Sequence, residues 1–449
     1  MAQRAGTSRS IARKVGGNRP RVVVVGAGFG GIAAARGLSK LPVDVTIVDR
    51  QNYHGFWPLL YQVATAALAP DDIAHSVRGI FRDHANISFR LATVVDVDLD
   101  GRLVHLDAGG PLPYDYLVLA TGSATNDFGV PGVAEHAFPL KSLPDAVALR
   151  NHLLGIFEAA QNDPRLLDAG ALTTVVAGGG PTGVEVSGAL VELFAVLDGD
   201  FKGLDVGRAR VVLVEMADHL LPGYAESSQA EALRTLQSRR VDVRLGTAIA
   251  EVRADGVVLS DGSFVPTQTL VWAAGVRASP LADRLGLLQS RGGRLVVEED
   301  LSLPGRPEVF AIGDMAAAGS GRGGDGSPYP QLAPVAMQAG RHVADTIDRR
   351  GLGLPGRPFR YRDKGKMATI GRRAAVAELP LGIRFGGTPG WLAWLGLHLV
   401  FLVGFRNRAA VLLSWAWNYF TWDRGHRVMF TVDSPTRGLR EGRSDHPAA

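Results

Sequence analysis

The chain has 449 residues and no cysteine, which excludes disulfides, thiolate-held zinc or iron–sulfur clusters and any thiol relay, so redox chemistry would have to ride on a bound organic cofactor. At about 100–200 residues per domain, the length allows two to four domains and a core large enough to enclose such a cofactor. The formal charge of +4 hides an asymmetry: residues 1–21 carry six basic and no acidic residues, residues 22–357 carry 28 basic and 38 acidic, and residues 358–430 carry 11 basic and three acidic.

Residues 1–20 lack an apolar core and so do not form a secretory signal; they read as a disordered basic arm, with a composition that also resembles a transit peptide. Residues 21–25 (RVVVV) are a β-branched run of the kind a buried parallel strand needs. GAGFGG follows, then a small-residue helix over 32–38 and a second strand over 45–48 ending at Asp49. The same pattern recurs about 150 residues on, one domain's worth. Strand 174–177, the turn GGGPTG, a helix over 184–197 and strand 211–214 ending at Glu215 make up the second copy, with an insertion over 197–209 expected to loop out. Residues 351–358 (GLGLPGRP) mark a boundary, and beyond it lie the apolar runs 391–405 and 409–422.

Gly-x-Gly-x-x-Gly between a strand and a helix is a phosphate cradle. The first glycine permits the turn, the second admits the pyrophosphate and the third lets helix pack on strand, while free amides and the helix dipole stabilise the charge. Gly26, Gly28 and Gly31 form one such site, with Asp49 placed to accept hydrogen bonds from a ribose. Gly178, Gly180 and Gly183 form the other, with Glu215 in the same position. A carboxylate at the ribose repels a 2′-phosphate, so NADH rather than NADPH is expected, although Arg208 and Arg210 stand close enough in sequence to soften that preference. Two such sites on one chain point to one tightly held flavin and one exchangeable nicotinamide. The strand-and-turn segments 114–122, ending in Thr121-Gly122, and 270–275 echo each other, and 309–314 ends in Gly313-Asp314.

Taken together, GAGFGG, FWPLLYQVAT (56–65), LATGS, AGGGPTGVE, AIGD, APVAMQAG (333–340) and DKGKMATIGR (363–372) resemble the two-dinucleotide-domain flavoprotein superfamily. Within it, the chain resembles the type II NADH:quinone oxidoreductases over residues 21–430. The resemblance implies an α/β fold with two Rossmann-like, glutathione-reductase-like domains and a C-terminal membrane-associating helical module. FAD would lie on the first cradle and NADH on the second. Asp314 would hold the ribityl-phosphate side of FAD, Glu185 would sit near nicotinamide and flavin, and Gln338 would face the incoming quinone. Each has a plainer reading: Glu185 in the first turn of its helix is favoured by the dipole, Gln338 caps a core helix, and Tyr61 and Gln62 line the pocket or simply pack. Many relatives carry Gln where this chain has Pro334, which removes one polar group expected near the quinone. The implied organisation is a basic tail (1–20), an FAD-binding domain in two parts (21–140 and 295–357), an NADH-binding domain (141–294), a membrane-surface module (358–430) and a polar tail (431–449).

Without cysteine, the thiol-based branches of the superfamily are excluded, leaving hydride transfer from NADH to flavin and onward. The run 391–405 is 15 residues long, short of the ~20 that span a bilayer, and is followed at once by Arg406 and Arg408. Trp391, Trp394, Trp415, Trp417 and Trp422 read as an interfacial belt, and His398 as a packing residue rather than a metal ligand. An enzyme docked peripherally on the cytoplasmic face of the cell membrane, reducing quinone without pumping ions, is therefore expected. Nucleic acid is disfavoured as a partner because the basic module is also the most apolar part of the chain. The alternatives are a homodimer interface or the core burying the apolar runs, a soluble NADH-dependent reductase of ferredoxin or rubredoxin, and a non-catalytic NADH-sensing flavoprotein.

Overall fold

The structure, a computed structural model, describes residues 19–319, 327–421 and 424–429; Trp422 and most of both predicted tails lie outside them. Helices of ten or more residues among these are α1 (Phe29–Leu38), α2 (Leu143–Asn162), α3 (Pro181–Asp200), α4 (Glu226–Ser238), α5 (Ala333–Gly351), α6 (Gly387–Phe401) and α7 (Phe405–Thr421).

The chain forms two compact units. The first contains the described residues up to Gly55, His75–Thr125 and those within Val276–Lys364. Its six-stranded sheet runs in the order Ser302–Leu303, Arg306–Ala311, Tyr116–Leu119, Arg21–Val25, Asp44–Asp49, Ile87–Leu91, parallel except at the first pair. The Arg21–Val25 run shows why four consecutive valines suit a central strand. Val22 and Val24 enter the core on one face with α1 and α5, while Val23 and Val25 enter the core on the other. α1 and α5 cross closely because glycines remove side chains at the crossing: a Cβ at Gly340 would lie 2.3 Å from the Gly30 oxygen.

The second unit contains Phe56–Ala74, Asn126–Gly275 and the described residues from Gly365 onward. Its five parallel strands run Ala137–Pro139, Thr269–Trp272, Thr173–Ala177, Arg210–Val214, Asp242–Arg244. The C-terminal segment adds an antiparallel sheet of Lys366–Gly371, Ala374–Glu378 and Arg384–Phe385, with α6 and α7. α3 packs directly on Lys366–Gly371, where a Cβ at Gly188 would meet the Ile370 oxygen at 2.2 Å.

These boundaries differ from the sequence expectation at three places. The first crossover falls after Thr125 rather than near 140, because Ala137–Pro139 is an edge strand of the second sheet. The return falls at Val276 rather than near 295, because Val276–Ala278 pairs with Ser123–Thr125. The C-terminal segment is not a separate module but part of the second unit, which also claims Phe56–Ala74. The insertion expected over 197–209 is partly helical: α3 continues to Asp200, and Phe201 then packs against Phe157 at 5.5 Å.

Candidate functional site

Both parallel sheets end in the same turn, whose three glycines answer different demands. Gly26 has φ +106°, and a Cβ there would lie 2.3 Å from the Ala120 oxygen; at Gly31 it would lie 1.8 Å from the Gly26 oxygen. At Gly28 it would meet nothing within 4 Å. The second turn repeats the arrangement: Gly178 has φ +102° with Ala273 oxygen at 2.5 Å, Gly183 faces the Gly178 oxygen at 1.8 Å, and Gly180 meets nothing within 4 Å. The echo between segments 114–122 and 270–275 thus has a cause, since Ala120 and Ala273 crowd the first glycine of each turn. The outer glycines are required by the fold, whereas the middle one leaves open space for a ligand.

Gly28 and Gly180 are the N-caps of α1 and α3, with no side-chain cap on the helix amides and no acid in the first turn. Open amides at a positive helix end fit an anionic pyrophosphate, so both turns fit the dinucleotides FAD and NADH. Asp49 and Glu215 close the turns in the same manner. Asp49 accepts from the Ala27 amide at 2.6 Å and the Gln51 amide at 2.8 Å; Glu215 accepts from the Gly179 amide and, at 2.7 Å, the Ala217 amide. Each carboxylate therefore fixes its turn and keeps lone pairs for a ribose hydroxyl. Burial raises the Asp49 carboxyl, and the Ala27 and Gln51 amides draw it back.

Arg208 and Arg210 do not reach Glu215. They stand at the opposite end of strand Arg210–Val214, about 16 Å away at ~3.3 Å per residue, where Arg208 pairs with Asp168 at 2.8 Å and Arg210 donates to Thr173 Oγ1 at 3.1 Å. Glu215→Gln keeps an acceptor for the Gly179 amide but removes the charge. It is expected to shift kcat/KM toward NADPH by about fivefold or more, since like charges ~4 Å apart repel by about 1 kcal/mol even in water. An unchanged NADH/NADPH ratio would place this carboxylate away from the ribose.

In the first unit, Ser123 Oγ donates to Asp314 Oδ2 at 2.6 Å, and Thr121 Oγ1 donates to Met315 Sδ at 3.0 Å. The structure thereby joins Thr121-Gly122 to Gly313-Asp314. Gln331, which the sequence reading passed over, donates Nε2 to the Asp314 carbonyl at 3.0 Å. Gln338 has both ends of its amide on one residue: Nε2 donates to the Arg362 carbonyl at 2.9 Å, and Oε1 accepts from the Arg362 amide at 3.0 Å. Pro334 is the second residue of α5, where a missing N–H is harmless.

In the second unit, Glu185 is the fifth residue of α3, past the first turn, so the helix dipole alone does not explain it. Burial pushes its carboxyl up to about 8, drawn back in part by the Thr369 amide, 3.4 Å from Oε1, and by the nearby Trp394 indole N–H. Tyr61 and Gln62, on the short helix Leu60–Ala64, are also buried in this unit. Burial and the charge of Glu185 raise the Tyr61 phenol well above its ordinary range. One α3 carboxylate further along has the opposite environment: Glu192 takes Arg239 Nη1 at 2.9 Å and buried Arg424 Nη2 at 3.0 Å. One helix therefore carries an enclosed carboxyl and, two turns on, a carboxylate paired with two arginines.

His398 is held as expected for a packing residue. Its Nδ1 donates to the Trp394 carbonyl at 2.7 Å, its ring stacks on Trp394 at 4.0 Å, and burial lowers its pKa to about 4. Of the four belt tryptophans among the described residues, Trp394 is 1% exposed and Trp415 donates to Gln62, whereas Trp391 stacks on Tyr419 at intermediate exposure and Trp417 faces out. Leucine and phenylalanine make up most of the rest of that outward surface. Of 23 exposed large apolar side chains among the described residues, 14 lie in 381–429, which singles out this segment as an adhesive face.

Two paired dinucleotide cradles define a two-dinucleotide-binding flavoprotein, and the comparisons agree. A family model for pyridine nucleotide-disulphide oxidoreductases matches residues 20–340, and one for the NDH2 C-terminal domain matches 364–421. The chain belongs to the type II NADH:quinone oxidoreductase family. It is 38% identical to the Mycobacterium tuberculosis enzyme Ndh, covering 91% of this chain and 89% of that one, and 38% identical to NdhA of the same organism, covering 92% and 90%. The structure of NDH2 from Plasmodium falciparum in complex with NADH shares the fold, with TM-score 0.84 at 18% identity over 92% of this chain and 100% of that one.

Proposed function

We propose that this protein oxidises NADH and reduces a membrane quinone without pumping ions. NADH occupies the cradle of Gly178, Gly180, Gly183 and Glu215, and FAD occupies that of Gly26, Gly28, Gly31 and Asp49, with Thr121, Gly122 and Asp314 beside it. When bound, FAD supplies the two-electron relay between a hydride donor and a quinone. The protein's own contribution lies in placement and protonation. Amides at the starts of α1 and α3 hold the pyrophosphates, and Glu185 delivers a proton to the quinone oxygen. The observation that carries this reading is α3 itself, which begins at the nicotinamide cradle and, one turn later, bears a carboxyl that stays protonated to about pH 8. Gln338, held by both ends of its amide to Arg362, keeps its second N–H for the incoming quinone. NADH oxidation with a short-chain quinone, compared with ferredoxin, oxygen and ferricyanide, tests the acceptor: quinone should be fastest among physiological classes, and a preference for ferredoxin would overturn the proposal.

The membrane face is α6 with α7. On α7, Leu413, Trp417 and Phe420 follow an i, i+4, i+7 stripe and are 70%, 59% and 79% exposed. The basic surplus of 358–430 favours anionic lipid. No helix among the described residues is long and apolar enough to cross a membrane, so docking rather than spanning is proposed. Truncation would be a poor test, because it removes Arg424 from Glu192 and Trp415 from Gln62. Leu413→Glu with Phe420→Glu should instead weaken sedimentation with anionic vesicles by about 100-fold, at ~1.5–3 kcal/mol per apolar side chain, while ferricyanide reduction persists. Unchanged sedimentation would show that this stripe is not the docking face.

A further inference from the structure

A line of hydrogen bonds leads from α7 to the neighbourhood of Glu185, and its direction is fixed by chemistry. Trp415 Nε1 lies 2.8 Å from Gln62 Oε1, and Gln62 Nε2 lies 2.9 Å from Tyr61 Oη. Indole N–H can only donate, so the amide oxygen of Gln62 must face Trp415 and its NH2 must face Tyr61. The Tyr61 oxygen is thereby an acceptor from Gln62, and its own hydrogen has to point elsewhere. Trp394, whose ring centroid is 6.4 Å from that of Tyr61, brings a second buried donor, its indole N–H, close to the Glu185 carboxyl. Glu185 as an acid, the Tyr61 hydroxyl and the Trp394 indole thus bring three buried donors close together in the second unit.

Resting on the quinone reading above, we propose that the Tyr61 hydroxyl donates a hydrogen bond to a quinone carbonyl, and that Gln62 and Trp415 are positioning residues that fix which way this hydroxyl points. Quinone carbonyls are acceptors only, which matches this cluster of donors. The line also ties the quinone site to α7, the helix carrying the exposed apolar stripe. No proton travels along it, because a Gln amide between Trp and Tyr orients but does not relay.

The test measures the dissociation constant of a short-chain benzoquinone for the full-length protein without NADH, for wild type, Tyr61→Phe, Trp415→Phe and the double variant. Tyr61→Phe should weaken binding ~10-fold, equivalent to about 1.4 kcal/mol for a lost hydrogen bond, and raise quinone KM while ferricyanide reduction stays at the wild-type rate. Trp415→Phe frees the Gln62 amide to flip and should weaken binding about threefold, but in the Tyr61→Phe background it should add nothing. Additive losses would overturn the positioning role, and an unchanged Tyr61→Phe constant would overturn the inference while leaving quinone reduction by the wild type intact. A wild type that reduces ferricyanide but binds no quinone would overturn the functional reading beneath it.

Discussion

Gly28→Val is expected to give folded protein that purifies without colour. Gly28 has φ −71° and ψ −170°, an extended conformation any residue adopts, and added carbons enter open space, so the empty fold accepts valine. The same carbons occupy the place of the pyrophosphate. Flavin binding should weaken by a factor of a hundred or more, since each charge-assisted hydrogen bond lost contributes about 1.5–3 kcal/mol. Gly31→Ala makes the contrasting case. Its methyl would overlap the Gly26 carbonyl at 1.8 Å, so it should cost more than the ~1–3 kcal/mol typical of overpacking and lower Tm sharply. Circular dichroism, thermal melts and the flavin absorbance of both variants check this. Yellow Gly28→Val protein would mean that FAD does not use this turn.

The second large effect is at Glu185. Glu185→Gln keeps the volume and a hydrogen-bond donor but cannot release a proton, so quinone reduction should fall by about 100-fold or more while ferricyanide reduction is retained. The wild-type quinone rate should decline as pH rises through about 8, where the carboxyl ionises, and the variant's residual rate should lack that limb. The linkage has the matching sign. A carboxyl whose folded pKa lies above its unfolded value favours the fold fully below the unfolded pKa, and that contribution is lost as pH rises through about 8. A pH profile shared by wild type and variant would assign the proton to another group.

Both cradles are legible in the sequence because they are local. Gly26 to Gly31 encode a turn whose constraints lie in neighbouring backbone, and Val22 to Val25 report burial on two faces without further information. Asp49 and Glu215 are legible for the same reason, each ending the strand beside its own turn. Pairings over long separations are not. Trp415 and Gln62 are 353 residues apart and Arg424 and Glu192 are 232 apart, and nothing in either segment's periodicity announces its partner. The tryptophans illustrate the cost: clustering in sequence reads as an interfacial belt, yet Trp394 is buried and Trp415 bonds inward to Gln62, while Trp417 shares the outward face with leucine and phenylalanine. Segment 56–74 reads as a continuation of the first nucleotide fold, but its short helix packs with α2 and α3 of the second unit. That placement brings Tyr61 and Gln62 into the company of Glu185.

Double-mixing stopped flow tests the central claim most directly: the protein is mixed anaerobically with one equivalent of NADH and then with a short-chain benzoquinone, while flavin absorbance is followed. The flavin band should bleach on the first mixing and return on the second at least as fast as steady-state turnover. A band that never bleaches, or that bleaches and returns only with ferredoxin, would contradict it.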